Sequence, residues 1–510
     1  MQEDLFGHPR GLLFCALTEM WEFFSYFGMR ALLIFFLTQR LLVDDAGSYA
    51  IYGAFIGLTW ALPILGGILA DRYIGYKRAI TLGAVLMITG YVVLAVYGGT
   101  VEGAIDAPGG RAHRADESLD LFYISLGFIV CGVGLMKGNL TALVGLLYGP
   151  EDVRRDSGYS LYYFGANVGG AVAPLLCGWL GQAYGWRYGF GAAGFGMLGG
   201  LGMFLKGLPY LNLPKTNRRP MSAMPALARE GTALVAAVAV SVAVGTLIMH
   251  HELMGIMLGV FVTTMVSIVV FWTLYRCSIS ERSQIYAIMM LSGFSVIFFS
   301  FYEQMGSSLN LFIDRFVDLS VAGLQIRSAQ VVSLAAIFAL ILAPLFSTLW
   351  IWLSRRGQNP TATAKVSAGM ILLGIAFLMP VIGVQMQNGS GGVSLIWLVF
   401  MFFFMECAEI CTVPIAFSVI SRLSPRGFVG AMMGVYFLCL SLGSYLSGKL
   451  AGLTSRPGRI ASVGPVTELH TYVSVFIGFA ISLMAIGGVV LASSSLGHSI
   501  SSEPARRRAT

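Results

Sequence analysis

Long apolar runs separated by short polar breaks dominate this chain. Fourteen runs stand near 11–38, 49–71, 78–98, 121–148, 157–183, 186–206, 229–250, 251–275, 284–314, 329–353, 364–386, 393–421, 428–453 and 468–495. At about 1.5 Å per residue, a helix of roughly 20 residues crosses the hydrocarbon core of a bilayer. Backbone groups in lipid must bond within their own segment, so each run is predicted to be a membrane-spanning α-helix. The first run continues well past 20 residues without a cleavage site, which argues against a removable leader.

The order is six spans, a polar linker containing "LPKTNRRPMSAMP", two spans, then six more. This predicts an all-α polytopic membrane protein of two pseudo-symmetric six-helix bundles, 1–206 and 284–495, with a solute path between them. Residues 207–283 form a cytoplasmic linker with two accessory helices, and 496–510 a cytoplasmic basic tail. The accessory pair carries almost no ionisable residues in its interior, only His250, His251 and Glu252 at the junction, and reads as lipid-packed. Residues 99–120, opening with "GTVEGAIDAPGGRAHRADES", read as an external loop.

Composition agrees with that class. Hydrophobic residues make up 56% of the chain, charged residues 11%, and mean hydropathy is +0.78, against about 25% charged residues in soluble proteins. The net charge of +7 does not point to nucleic acid, because its placement follows the spans. Of 32 Lys and Arg, 21 fall on the side of the termini, nine on the opposite side and two, Arg30 and Lys137, within spans. The positive-inside rule then places both termini in the cytoplasm. The seven cysteines lie in or at the ends of spans without metal-ligand spacing and read as packing residues; no metal or other cofactor is expected.

The informative residues are the charges that interrupt the apolar runs. In "TEMWEFFSYFGMRALL", residues 18–33, successive positions turn by about 100°, so Glu19, Glu22, Phe23, Tyr26 and Arg30 share one stripe. Ionisable side chains avoid lipid, so this stripe faces protein or a water-filled cavity. Lys137 in "GLMKGNLTALVG", Glu303 in "SFYEQMGSSLN", and Glu406 and Glu409 in "FMECAEICTVP" complete the set. Five acids stand against two bases. Burial and mutual repulsion disfavour the ionised carboxylates, so the cluster suits proton movement coupled to a cargo. Plainer readings stay open. The charges can simply glue helices together, Glu406 can share a proton with Glu409, Tyr26 and Trp60 can be core aromatics, and Asn167 can be an interhelical hydrogen-bonding residue.

Across nearly its whole length the chain resembles the proton-dependent oligopeptide transporter family of the major facilitator superfamily. "TEMWEFFSYFGMRALL" is similar to the first-helix signature, Glu-x-x-Glu-Arg-Phe-x-Tyr-Tyr-Gly, and "GGILADRYIGYKR" to the superfamily's loop motif. "KGNLTALVGLLY" resembles the fourth-helix lysine motif and "YSLYYFGANVGGAVAPLLCGWLG" the fifth-helix signature. "FYEQMGSSLNLF" and "AEICTVPIAFSVISRLSP" resemble the seventh- and tenth-helix segments, and the two extra helices are typical of bacterial members. The resemblance implies a major facilitator fold and a proton-driven symporter of di- and tripeptides in a bacterial inner membrane, with protons as coupling ion and no organic cofactor. It implies small peptides as substrate, lipids as surroundings, no nucleic-acid partner and a monomeric functional unit. Glu19, Glu22 and Lys137 then belong to proton coupling, with Lys137 as the cationic partner of the two acids. Arg30 and Glu303 form a gate, and Tyr26, Trp60, Lys137, Asn167 and Glu409 contact substrate. Glu406 is an additional acid and a candidate extra proton site.

Several positions depart from the family pattern. Phe23 stands where an arginine is usual, Phe27 and Trp60 where tyrosines are, Ala335 where an asparagine is, Val413 where a serine is, and Tyr436 where a tryptophan is. These changes make the cavity more apolar and leave a modified peptide or another amphiphilic solute as an alternative cargo. A channel lacks the continuous polar lining it needs, and an enzyme the membrane-embedded His/Asp or nucleophile cluster; all six histidines lie in tails, loops or span ends.

Overall fold

A computed structural model describes residues 4–5, 7–106, 119–149, 152, 154–211, 226–321, 323–387, 392–425, 428–455 and 465–501. The chain is a multi-pass membrane protein with fourteen helices long and apolar enough to cross a bilayer. They are α1 Arg10–Arg40, α2 Asp45–Ile74, α3 Tyr76–Thr100, α4 Asp120–Leu146, α5 Arg155–Tyr184, α6 Trp186–Tyr210, α7 Gly231–Met249, α8 His251–Arg276, α9 Glu281–Phe316, α10 Ser328–Arg355, α11 Ala362–Gln385, α12 Leu395–Leu423, α13 Val429–Thr454 and α14 Val466–Ala492. Most helices run a few residues past the predicted bounds, and the C-terminal extensions of two are the longest: the one carrying α3 continues to Asp106 and the one carrying α14 to Ser501. Most of the expected linker, residues 212–225, the middle of the expected external loop, 107–118, and the tail from 502 onward lie outside the described residues.

The chain divides into two compact units, Met1–Val260 with Ile326–Ala336, and Phe261–Gln325 with Ile337–Thr510. In the first, α1 packs against α5 and α6. The approach to α5 is backbone to backbone: a Cβ on Gly169 would lie 2.0 Å from the Met20 carbonyl oxygen. Without a hydrophobic drive between helices in lipid, such close small-residue contacts supply the attraction. Three π-turns interrupt the unit's helices, at Phe36–Arg40, Ala70–Ile74 and Pro174–Gly178. The second ends at Gly75, whose φ of 79° a side chain would resist, and there the chain reverses into α3. The third starts at a proline, which cannot donate the helical N–H.

The accessory helices α7 and α8 are the least buried spans, in keeping with lipid packing. They are not loose attachments. A Cβ on Gly127 of α4 would meet the Ser241 carbonyl oxygen of α7 at 2.1 Å. The far end of α8 belongs to the second unit, where Trp272 lies 4.1 Å from Phe428, centroid to centroid, just ahead of α13. The first turn of α10 packs with the first unit. The Gln182 side chain accepts a hydrogen bond from the Ala329 N–H at 3.2 Å, and the Gln330 amide donates to the Leu175 carbonyl at 3.1 Å.

In the second unit α9 is broken by a 3₁₀ turn at Glu303–Gly306. Gln304 stitches the break, donating to the Ser300 and Ser447 carbonyls and accepting from the Ser308 hydroxyl at 2.6 Å. Beyond it, Phe312 of α9, Phe377 of α11, and Tyr472 and Phe476 of α14 form a buried aromatic cluster.

Candidate functional site

In the first unit α1, α2, α4 and α5 bring together most of the predicted residues. On α1, Glu19, Glu22, Tyr26 and Arg30 are buried and Phe23 is half-buried. Lys137 projects from α4 into three aromatic faces, with its Nζ 4.4 Å from the centroid of Phe23, 5.5 Å from Trp60 and 5.6 Å from Tyr26. A cation over an aromatic face within about 6 Å is attracted by the ring quadrupole. The amine is close enough to act electrostatically on Glu19 and Glu22. Among the described residues, however, it forms no ion pair with either within 4.0 Å. The cationic partnership expected for Lys137 is therefore longer-ranged than a salt bridge, because the aromatic box holds the ammonium.

The two carboxyls differ in their surroundings. Tyr162 of α5 stands beside Glu19 and lies 3.2 Å from the Thr141 hydroxyl. Neither oxygen of Glu22 has a hydrogen-bond partner among the described residues, nor has Oε2 of Glu19. Burying a charge without partners is costly, so Glu22 is sensitive to any proton or cation that reaches it. Tyr26 stacks on Phe55 at 6.1 Å and presents its face to Lys137.

Arg30 donates from Nε to the Tyr52 hydroxyl at 2.6 Å and lies over the Phe27 and Tyr52 rings. Asn167 donates to the Tyr163 carbonyl at 2.9 Å, one turn back in α5, so this bond is not interhelical. In the loop motif, the Tyr76 hydroxyl donates to Asp71 at 2.6 Å across Gly75.

The second unit holds a separate cluster. Glu303 is buried at the break in α9. One residue earlier, the Tyr302 hydroxyl lies 2.8 Å from Oε1 of Glu406 and 3.0 Å from Oε2 of Glu409. Glu406 is 1% exposed, while Glu409 is partly open. Tyr302 and Tyr162 escaped the reading of the sequence, since an aromatic residue in a membrane span is usually packing. The available signal was adjacency, Tyr302 beside Glu303 and Tyr162 in "YYFGAN".

Outside the spans, Arg154 ties the start of the chain to the turn before α5. It bonds Asp152 at 2.9 Å, Asp4 at 3.0 Å and the Gly7 carbonyl at 2.9 Å. Hydrogen bonds from the Arg154 side chain and backbone hold the Asp152 carboxyl below the usual range. His8 lies 2.9 Å from the Tyr148 hydroxyl beside this cluster.

Sequence and structure comparisons bear on what such an arrangement serves. A POT family profile matches residues 77–466. The chain is 34% identical over 467 residues to the uncharacterized transporter YclF of Bacillus subtilis, covering 89% of each. It is 32% identical to the peptide transporter YePEPT of Yersinia enterocolitica, covering 88% of each. A crystal structure of a peptide transporter POT in complex with sulfate superposes with a TM-score of 0.78 at 30% identity, over 97% of this chain and 96% of that one. These proteins are transporters, not enzymes. With fourteen spans, two compact units, and buried charges in each unit, the chain belongs to the POT family and has the major facilitator fold.

Proposed function

We propose that this protein is a proton-coupled symporter importing di- and tripeptides across a bacterial inner membrane by alternating access, with both termini in the cytoplasm and one chain as the functional unit. Family membership supports the cargo class, since relatives and structural neighbours carry peptide-transporter names. The observation that carries the coupling is the pair Glu19 and Glu22, buried beside a lysine that is held by aromatic rings rather than by the carboxyls. A carboxyl in that setting takes up and releases a proton as nearby charge changes, with no cofactor. In this reading Arg30 and Glu303 are the gating charges. Glu409, Asn167, Tyr26 and Trp60 join Lys137 in contacting the peptide, whose two charged ends require opposite charges held apart.

A second cargo reading is favoured by one feature. Phe23 and Trp60 surround Lys137 with apolar surface, which suits a more amphiphilic or modified peptide. One experiment tests both. Purified protein in liposomes is offered a panel of natural and modified di- and tripeptides, with and without an inward proton gradient. Gradient-dependent uptake abolished by a protonophore, with acidification of the lumen, is the expected result. Uptake indifferent to the gradient refutes the coupling, and no uptake of any panel member refutes the cargo class.

A further inference from the structure

The contacts around Tyr302 count protons. A phenol carries one hydrogen, yet its oxygen lies within hydrogen-bond distance of two carboxyl oxygens, at 2.8 Å on Glu406 and 3.0 Å on Glu409. It can donate to only one of them. The other contact is a hydrogen bond only if that carboxyl carries a proton and donates to the phenol oxygen. Glu406 and Glu409 stand three residues apart on one face of α12. Two ionised carboxylates hold no hydrogen to place between them and repel at this range, whereas one proton satisfies both contacts.

Among the described residues neither Glu406 nor Glu409 forms an ion pair. From α9 the pair faces Tyr302, from its own helix Cys407, and from α13 Tyr436. The ionisable residue of α11, Lys365, is turned towards the Trp350 ring at 4.3 Å. The surroundings of the two acids are unequal. Glu406 is sealed at 1% exposure, and Glu409 is partly open.

We propose that Glu406, Glu409 and Tyr302 form a one-proton binding site in the second unit, independent of the Glu19 and Glu22 pair in the first. The proton enters through Glu409 and is held at Glu406 with Tyr302 as bridge. The site then keeps one negative charge, at Glu409. Only the link to cargo movement rests on the transport reading; the site itself stands without substrate.

The test uses infrared difference spectroscopy on the purified, substrate-free protein at neutral pH, comparing wild type with Glu406→Gln and Tyr302→Phe. Glu406→Gln is expected to remove the carbonyl band of one neutral carboxylic acid, the contributions of Glu19 and Glu22 cancelling in the difference. Tyr302→Phe is expected to keep that band and shift its frequency, because one hydrogen-bond partner is lost. Loss of carboxylate bands alone in Glu406→Gln, or an unshifted acid band in Tyr302→Phe, overturns the proposal. Each variant decides by itself if the other does not fold. Because no peptide is present, either failure leaves peptide uptake untouched, and a failed uptake assay leaves the proton site untouched.

Discussion

Replacing Phe23 by leucine isolates the contact that most distinguishes this site. Its ring centroid lies 4.4 Å from the Lys137 ammonium, nearer than those of Trp60 at 5.5 Å and Tyr26 at 5.6 Å. Cation–π contacts are worth about 0.5–1 kcal/mol when exposed and about 2 kcal/mol when desolvated. Lys137 is half-buried, so the Phe23 contact contributes about 1 kcal/mol. Leucine also removes ring volume, a loss that has nothing to do with charge. A double-mutant cycle separates the two effects. Unfolding free energies are measured in mixed detergent micelles for wild type, Phe23→Leu, Lys137→Gln and the double variant. If the ring holds the ammonium, the cycle returns a coupling energy of about 1 kcal/mol, and Phe23→Tyr restores it. Additivity within about 0.3 kcal/mol would falsify the aromatic-box account, because the ring would then be filling space only.

Gly169→Ala places a Cβ 2.0 Å from the Met20 carbonyl oxygen, so α1 and α5 must part; a loss of about 1–3 kcal/mol is expected, while Gly191→Ala, which meets nothing within 4 Å, costs none. Equal unfolding free energies for the two variants would sink that contact. Arg30→Ala and Glu303→Ala are each expected to cut peptide uptake by about tenfold, the equivalent of about 1.4 kcal/mol; full uptake by both would remove the gating assignment. For Asp152, whose carboxyl Arg154 holds below its ordinary value, the stabilisation is complete above the unfolded value of about 4 and is lost as pH falls through the lower folded value. Arg154→Ala is therefore expected to lower the melting temperature at neutral pH and to approach wild type in acid below about pH 4. A difference that stays constant across that range counts against the network.

The spans, their number and the depth of the charges in them were legible in the sequence, because hydrocarbon leaves a backbone no choice but the helix and makes every buried charge conspicuous. The stripe of Glu19, Glu22, Tyr26 and Arg30 followed from helical period alone. What periodicity cannot report is which side chain of another helix meets a given face. That Lys137 rests on Phe23, Tyr26 and Trp60 rather than on the glutamates depends on α1, α2 and α4 converging, and hence on how closely their small residues let the helices approach. The same holds for Tyr302. On α9 it is one aromatic residue among many, and only the packing of α9 against α12 sets its hydroxyl between Glu406 and Glu409. Position along one helix is a local property written in the chain. Pairing across helices is a property of the packed tertiary structure, where a shift of an ångström decides between a hydrogen bond and none.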